Sequence, residues 1–98
     1  MKNSFQNLNK AFENKIRLGI MSVLSVNARS SFNNLKKVLD VTDGNLASHI
    51  KSLESAGYIK VIKSFKNRKP NTNYELTPAG VKAFEDHLKA LEEILKQL

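Results

Sequence analysis

The segment Thr42–Gly57 carries side chains that could form hydrogen bonds with nucleotide bases. At about 100° per residue on a helix, Leu46, Ile50 and Leu53 share one apolar stripe. The opposite side is small and polar, with Gly44, Asn45, Ser48, Lys51, Ser52 and Ser55. Asparagine can pair with adenine, serine can bond phosphates or base edges, and lysine can reach guanine or phosphate. We therefore expect this face to read a DNA groove. The main predicted contacts are Asn45, Ser48 and Lys51. Ser52 would lie beside them, and Gly44 would permit close approach of the helix to the groove.

A second group of candidate contacts is basic. Tyr58–Phe65 is rich in β-branched and aromatic residues, and Asn73–Leu76 resembles a returning strand, which predicts a hairpin. The predicted tip, Lys66–Thr72, has seven residues, which is longer than usual. Its cations and their neighbours are Lys63, Lys66, Asn67, Arg68 and Lys69, without an acid. A solvated loop is the alternative, but a purely basic tip favours contact with phosphates.

The distribution of charge agrees with a polyanionic partner. The 98 residues form one domain with a net charge of +7 and a pI near 9.8. Residues 1–70 hold 13 Lys and Arg against 4 Asp and Glu, whereas residues 71–98 hold 3 against 5. This pattern predicts a basic body and a mildly acidic tail with another role, although solubility alone would also explain a high net charge.

Several functional classes are not indicated. The chain has no Cys, which excludes disulfides and thiol chemistry, and it has no nucleophile motif, P-loop or dinucleotide fingerprint. We expect no enzyme activity, no cofactor and no metal. His49 is expected to pack or to contact phosphate, and His87 to lie on a solvated surface; a metal site of His87 with Glu85 or Asp86 is the weaker alternative. No apolar run suggests a signal peptide or a membrane span, so the expected location is cytoplasmic.

The elements that position these residues are mainly helical. Asn14 is the predicted cap of a helix over Lys15–Ser25, and a turn is expected over Asn27–Ser30. Ser31 is the predicted cap of a short helix, Phe32–Leu39. The third helix would begin after Thr42 and end at Gly57, the usual place for a left-handed residue. The short connection between the second and third helices is the spacing of a helix-turn-helix.

The last helix has an apolar seam. Thr77 is its predicted cap with Pro78 at the first position, and apolar residues follow at alternating spacings of three and four. Val81 and Phe84 are assigned to the core. The remaining apolar residues would be exposed on a monomer, which favours a homodimer seam. A fold back onto the first helix is the other possibility, and the two are not exclusive. They are Leu88, Leu91, Ile94, Leu95 and Leu98.

The complete order of elements resembles the winged helix-turn-helix of small stand-alone transcriptional regulators of the MarR, ArsR and PadR kind. The residues that carry this resemblance span about residues 10–95 and are Ile16–Met21, Ser31–Leu35, Thr42–Ile50, Leu53–Tyr58 and Leu76–Gly80. The predicted fold is mainly α with a small β-hairpin, a winged helix-turn-helix with a C-terminal dimerisation helix. Within one domain, 1–98, we distinguish an N-terminal arm or short helix over 1–13, a body over 14–80 and a dimerisation helix over 81–98.

The resemblance implies a homodimer that binds a palindromic operator in double-stranded DNA, usually as a repressor. The third helix would enter the major groove. Lys66, Arg68 and Lys69 would approach the backbone or the adjacent minor groove, with Lys63 and Asn67 assisting. A small-molecule effector between the last helices and the first is compatible but not indicated. Two alternatives remain, a protein-interaction module that docks an acidic partner and a binder of structured RNA.

Overall fold

The computed structural model describes residues 4–98, and its elements follow the predicted order. Two short 3-10 helices, Phe5–Asn7 and Lys10–Phe12, form the N-terminal arm, and residues 1–3 of the predicted arm lie outside the described residues. The further elements are α1 (Lys15–Val26), β1 (Ser30–Ser31), α2 (Phe32–Leu39), α3 (Asp43–Ser55), β2 (Ile59–Lys66), β3 (Lys69–Leu76) and α4 (Pro78–Lys96).

All four predicted helix caps are confirmed. The side chains of Asn14, Ser31, Thr42 and Thr77 each accept a backbone N–H from the first turn that follows. The hydroxyl of Thr42, for example, accepts the N–H of Asn45 at 3.2 Å. Each such bond satisfies a donor that the helix cannot, and its loss typically costs about 1 kcal/mol.

Two glycines lock the end of α3 to the start of α4. Gly57 has φ of 80°, and its N–H donates to the carbonyl of Glu54 at 2.9 Å, which ends the helix as predicted. At Gly80 a β-carbon would lie 2.0 Å from the carbonyl oxygen of Tyr58, so only glycine fits this approach. The Thr77 hydroxyl also donates to the Gly57 carbonyl at 2.6 Å. The base of the hairpin is thereby held between two helices.

The core lies where α1, α2, α3 and the base of the sheet meet. Its buried members are Phe12, Ile20, Met21, Leu24, Leu35, Leu46, Ile50, Leu53, Ile59, Tyr74 and Phe84. The assignment of Phe84 to the core is confirmed. The same assignment for Val81 is wrong, because 42% of that residue is exposed.

The three-stranded antiparallel sheet has the order β1-β3-β2. Ser30 pairs with Tyr74 and Ser31 with Asn73, so Ser30 belongs to a strand and not to the predicted turn. A strand of two residues has no periodicity that a sequence could reveal. Only its partner strand, distant in the chain, defines it.

The hairpin has a shorter turn than predicted, so the seven-residue tip is wrong. Lys66 pairs directly with Lys69, and only Asn67 and Arg68 lie between them, with φ of 54° and 64°. Two successive left-handed residues are typical of the I′ turn that suits the twist of a hairpin. The sequence did not reveal this turn for two reasons. The turn lacks the usual glycine, and Pro70 and the polar residues after it are typical of a loop.

The N-terminal arm packs on α4. The Ser4 hydroxyl donates to a carboxylate oxygen of Glu93 at 3.1 Å, and the N–H of Asn9 donates to Nδ1 of His87 at 2.9 Å. His87 is only 8% exposed, so its predicted place on a solvated surface is wrong. Ile94 is half-buried and not exposed as expected. The arm, absent from the predicted packing of α4, explains why this side of the helix is covered.

Candidate nucleic-acid interface

The structure seats α3 as predicted from its angular pattern. Leu46, Ile50 and Leu53 are 0%, 3% and 0% exposed and fix the helix on the core. The polar positions on the other side are all exposed, namely Gly44, Asn45, Ser48, Lys51 and Ser52. The candidate reading residues therefore share one accessible face, held by a rigid support.

Hydrogen bonds within α3 distinguish these candidates. The Ser52 hydroxyl donates to the carbonyl of Ser48 at 3.2 Å, so its hydrogen already has a partner. Within residues 4–98, the side chains of Asn45, Ser48 and Lys51 have no side-chain hydrogen bond or ion pair. These three can bond a ligand without first breaking a contact, whereas Ser52 must rotate before it can donate.

The start of α3 is tied to α2 by an ion pair. Lys36 Nζ lies 2.8 Å from a carboxylate oxygen of Asp43, and the two side chains are 44% and 70% exposed. An exposed pair contributes at most about 1 kcal/mol. The pair also matters for the surface charge, because Lys36 neutralises Asp43, the acidic residue closest to the exposed face of α3.

Arg17 and His49 form a contact that the sequence did not reveal. The Arg17 guanidinium donates from Nε to the Ala11 carbonyl at 2.6 Å, and its Nη1 lies 3.1 Å from Nδ1 of His49. Arginine has only donors, so Nδ1 must accept and the proton of the neutral ring is on Nε2. His49 therefore packs against α1, which is one of the two roles expected for it from the sequence. A basic residue in the first turn of α1 was the only signal in the sequence.

The cations of the hairpin differ between its base and its tip. At the base, Lys60 and Arg29 both approach the Glu75 carboxylate, at 3.8 Å and 2.5 Å. Toward the tip, four cations make no ion pair within residues 4–98, and all four are exposed: Lys63, Lys66, Arg68 and Lys69. Positive charge that is uncompensated by the protein is therefore concentrated at the far end.

Strand alternation divides the hairpin into two faces. Lys63 and Phe65 continue the face that buries Ile59, whereas Lys66 and its partner Lys69 lie on the other face. At about 3.3 Å per residue, Lys66 lies roughly 23 Å along β2 from Ile59. The tip cations and the α3 face are therefore two separate patches, joined through the core.

Two titratable groups outside these patches are perturbed. Burial lowers the pKa of His87, and the nearby Glu13 carboxylate opposes that effect. Burial raises the pKa of the Tyr74 phenol, and Glu54 raises it further. Both groups are neutral near pH 7 and belong to the packing of the domain.

The exposed side of α4 carries a line of apolar residues. Leu88, Leu91, Leu95 and Leu98 are 45%, 43%, 64% and 90% exposed. Beside them, an open groove of about 380 Å³ between α1 and α4 is lined by Leu24, Phe84 and Leu88 among others. This volume would be large enough for a small molecule. Binding of a small-molecule effector in the groove is untested and stays a prediction.

Neither a membrane segment nor a metal cluster is found in the part of the chain that the structure describes. None of its helices is long and apolar enough to cross a membrane. No three His, Asp or Glu side chains among residues 4–98 are grouped to hold a metal ion. The Nδ1 atom of His87, a candidate ligand, is occupied by the N–H of Asn9.

Comparison with known proteins agrees with this geometry. A sequence model of the winged helix DNA-binding domain matches residues 16–95. An uncharacterized protein from Methanocaldococcus jannaschii is 32% identical over 89 residues, which cover 91% of this chain and 97% of that protein. The solved structure of a transcriptional regulator homologue from Pyrococcus horikoshii is 34% identical, with a TM-score of 0.87 and coverage of 97% and 96% of the two chains.

The fold also occurs in a protein solved with DNA. PadR from Bacillus subtilis, in complex with operator DNA, has a TM-score of 0.68 at 17% identity, and the match covers 76% of this chain and 47% of that one. At this identity the likeness concerns the fold alone. Together with the family match, it confirms the predicted winged helix-turn-helix. The chain therefore belongs to the winged helix DNA-binding domain family and is a winged-helix transcriptional regulator.

Proposed function

We propose that the protein is a homodimer that binds a palindromic operator in duplex DNA and represses transcription from it. The observation that carries the proposal is the α3 face, where Asn45, Ser48 and Lys51 are exposed and have no side-chain partner within residues 4–98. The opposite side of this helix is buried. Amide, hydroxyl and ammonium groups at this spacing match the donors and acceptors of the major-groove floor. That DNA was solved bound to the related PadR fold adds support.

The hairpin would supply affinity that does not depend on sequence. Lys66, Arg68 and Lys69 would neutralise phosphates at the flank of the site, with Lys63 and Asn67 beside them. Phosphate contacts set the register on the duplex, whereas base contacts specify the sequence. The proposed protein therefore divides these tasks between α3 and the hairpin.

The proposed dimer uses the exposed leucines of α4. Leu88, Leu91, Leu95 and Leu98 form a stripe next to the apolar groove along α1, so the two make one continuous surface. Large contiguous apolar patches usually mark interaction sites. The half-buried Ile94 would contribute its remaining surface at the margin. Two copies related by two-fold symmetry would then present two α3 faces, which is what a palindromic operator requires.

Selection from random duplex DNA tests the proposed function. The full-length protein should enrich a sequence with two-fold symmetry, and binding to it should weaken steeply as salt rises. Weak retention without an enriched palindrome would favour an acidic protein partner at the same basic surface. Stronger binding to duplex RNA than to DNA in competition would favour the RNA alternative. Reporter expression from the selected site, with and without the protein, then decides between repression and activation.

Light scattering tests the dimer separately. The wild-type chain should have about twice the mass of one 11.0 kDa chain at micromolar concentration. Leu91→Gln with Leu95→Gln should shift it to the monomer without loss of helical signal. Lys89→Gln is the matched control, because Lys89 is exposed on α4 outside the leucine stripe. A wild-type monomer would contradict the dimer but leave DNA binding open.

A further inference from the structure

Phe65 is unusually exposed for its size and position. It lies next to the last residue of β2, and 79% of it is accessible to solvent. Directly across the hairpin it pairs with Pro70, which is also exposed. The outer end of this face is therefore an apolar pair and not a polar one.

The geometry of the turn brings these two side chains together. In a two-residue hairpin, Lys66 and Lys69 form the hydrogen-bonded pair, so Phe65 and Pro70 form the next pair, which is not hydrogen-bonded. Side chains are closer in such pairs than in hydrogen-bonded ones. The missing N–H of Pro70 faces the outer edge of β3, where β1 does not extend, so proline costs no ladder bond there. Pro70 also blocks further strand pairing at that edge.

The charges around this apolar pair select its partner. Lys63 shares the face with Phe65, and Lys66, Arg68 and Lys69 surround the tip, all without an ion pair in residues 4–98. The only acid in the hairpin strands, Glu75, lies at the opposite end and is already paired. A purely apolar partner would not explain four cations, whereas a polyanion whose phosphates flank apolar sugar edges would.

We propose that Phe65 and Pro70 form an apolar wedge that presses against the sugar and base edges of the DNA minor groove while the tip cations hold the phosphates on either side. The proposal rests on the proposed function, because α3 must first place the hairpin beside the duplex. Proteins that enter the minor groove insert phenylalanine, proline and similar side chains and open base steps there. The wedge would therefore bend the operator and favour flexible pyrimidine–purine steps beneath it.

The salt dependence of binding separates this wedge from a cation. Dissociation constants for the selected operator are measured at several salt concentrations for the wild type, Phe65→Ala, Phe65→Leu and Lys66→Ser. Phe65→Ala should weaken binding by roughly five- to a hundredfold, the range for loss of one aromatic contact with a nucleotide. Its salt slope should equal that of the wild type, and Phe65→Leu should recover part of the loss. Lys66→Ser should instead reduce the slope by about one.

Phe5→Ala is the matched control, because Phe5 is 63% exposed but lies in the N-terminal arm. It should bind as the wild type does. Circular dichroism and unfolding midpoints of both Ala variants should match the wild type, since neither residue is buried.

Fluorescence energy transfer between the ends of the operator gives the second readout. The wild type should bring the ends closer, and Phe65→Ala should reverse much of that change at saturating protein. Unchanged affinity and bend for Phe65→Ala would overturn the wedge, as would a loss that appears only as a smaller salt slope. Failure of the wild type to bind any duplex would instead overturn the proposed function, so the two failures are distinguishable.

Discussion

Helix α3 and the hairpin β2–β3 present opposite solutions for contact with a long polyanion. The helix is fixed by three buried residues and capped at Thr42, and its outer face has one cation, Lys51. The hairpin leaves the core after Val61, and its tip carries four cations around a two-residue turn. None of the four is in an ion pair with the part of the chain that the structure describes. Readout of bases requires positions fixed to a fraction of an ångström, whereas phosphate attraction tolerates movement. The difference suggests that selectivity and affinity can be altered independently.

The largest effect should come from the support of α3. Leu46→Ala removes a side chain that is 0% exposed, and such cavities cost about 2–5 kcal/mol. We expect the free energy of unfolding in urea to fall by that amount and DNA binding to fall with the folded fraction. Val38→Ala is the control, because Val38 is 57% exposed and should change stability by less than about 0.5 kcal/mol. Equal effects of the two changes would contradict the seat described for α3.

Substitutions in the hairpin should weaken DNA binding and leave the stability of the fold unchanged. Replacing Lys66, Arg68 and Lys69 with Ser should leave the unfolding midpoint nearly unchanged, because all three are exposed and none has an ion pair among the described residues. The slope of log affinity against log salt should decrease by about three, and binding should weaken for every sequence. Filter binding of the selected operator and of a scrambled duplex measures both. A triple variant with wild-type affinity would contradict the proposed phosphate contacts.

A smaller and more selective effect is expected at Asn45. Asn45→Ala should lower discrimination by about 1–3 kcal/mol at one base-pair position in each half-site and leave the other positions intact. Repeating the selection with the variant identifies that position. Ser55→Ala is a suitable comparison, because Ser55 is exposed at the C-terminal end of the same helix and is not among the residues proposed to contact bases, so discrimination should stay unchanged. Uniform weakening across all positions would show that Asn45 positions the protein and does not read a base.

The sequence predicted those parts of the fold that local chemistry decides. Caps at Ser31 and Thr42 and the stop at Gly57 depend on a few neighbouring residues, so the bounds of α2 and α3 agree with the structure. The hairpin turn failed because strand pairing selects two left-handed residues, Asn67 and Arg68, without a glycine to signal them. The pairing of β2 with β3 therefore decides this turn, and the residue preferences of the turn itself do not.

In the candidate site, too, the sequence predicted what depends on neighbouring residues and missed what depends on contacts between distant elements. The α3 face follows from helical angles, but the Arg17–His49 contact depends on how α1 crosses α3, which periodicity does not define. On α4, the N-terminal arm packs against His87 and buries it, whereas Val81 lies on a different side of the helix and is exposed. A polar ring such as that of His87 gives no apolar signal, and its backbone donor lies 78 residues away.

Buried His87 predicts how the stability of the fold depends on pH. Burial holds its pKa below the usual value of 6.5, and its Nδ1 accepts the N–H of Asn9 only when unprotonated. As pH falls below about 6.5, the unfolded chain takes up a proton that the folded chain does not, so stability is lost as pH falls through the folded pKa. Unfolding midpoints should be constant above about pH 6.5 and decrease between that pH and the folded pKa, below which His87 adds no further loss. His87→Gln should lack this decrease, and a variant that retains it in full would assign it to other groups.

The smallest expected effect concerns the turn, and it separates the geometry of the hairpin from its charge. Arg68 has φ of 64°, a conformation that costs a residue with a β-carbon about 1 kcal/mol and glycine almost nothing. Arg68→Gly should therefore change the free energy of unfolding by less than about 1 kcal/mol, because relief at the turn offsets the larger chain entropy of glycine. The salt slope of operator binding should nevertheless decrease by about one, since a phosphate contact is lost. Asn67→Gly is the matched control, with φ of 54° at the adjacent position and no charge to lose, so its slope should remain that of the wild type. Equal slopes for the two variants would mean that Arg68 acts through the shape of the turn, and the contrast between a positioned helix and a charged hairpin would then hold for the lysines alone.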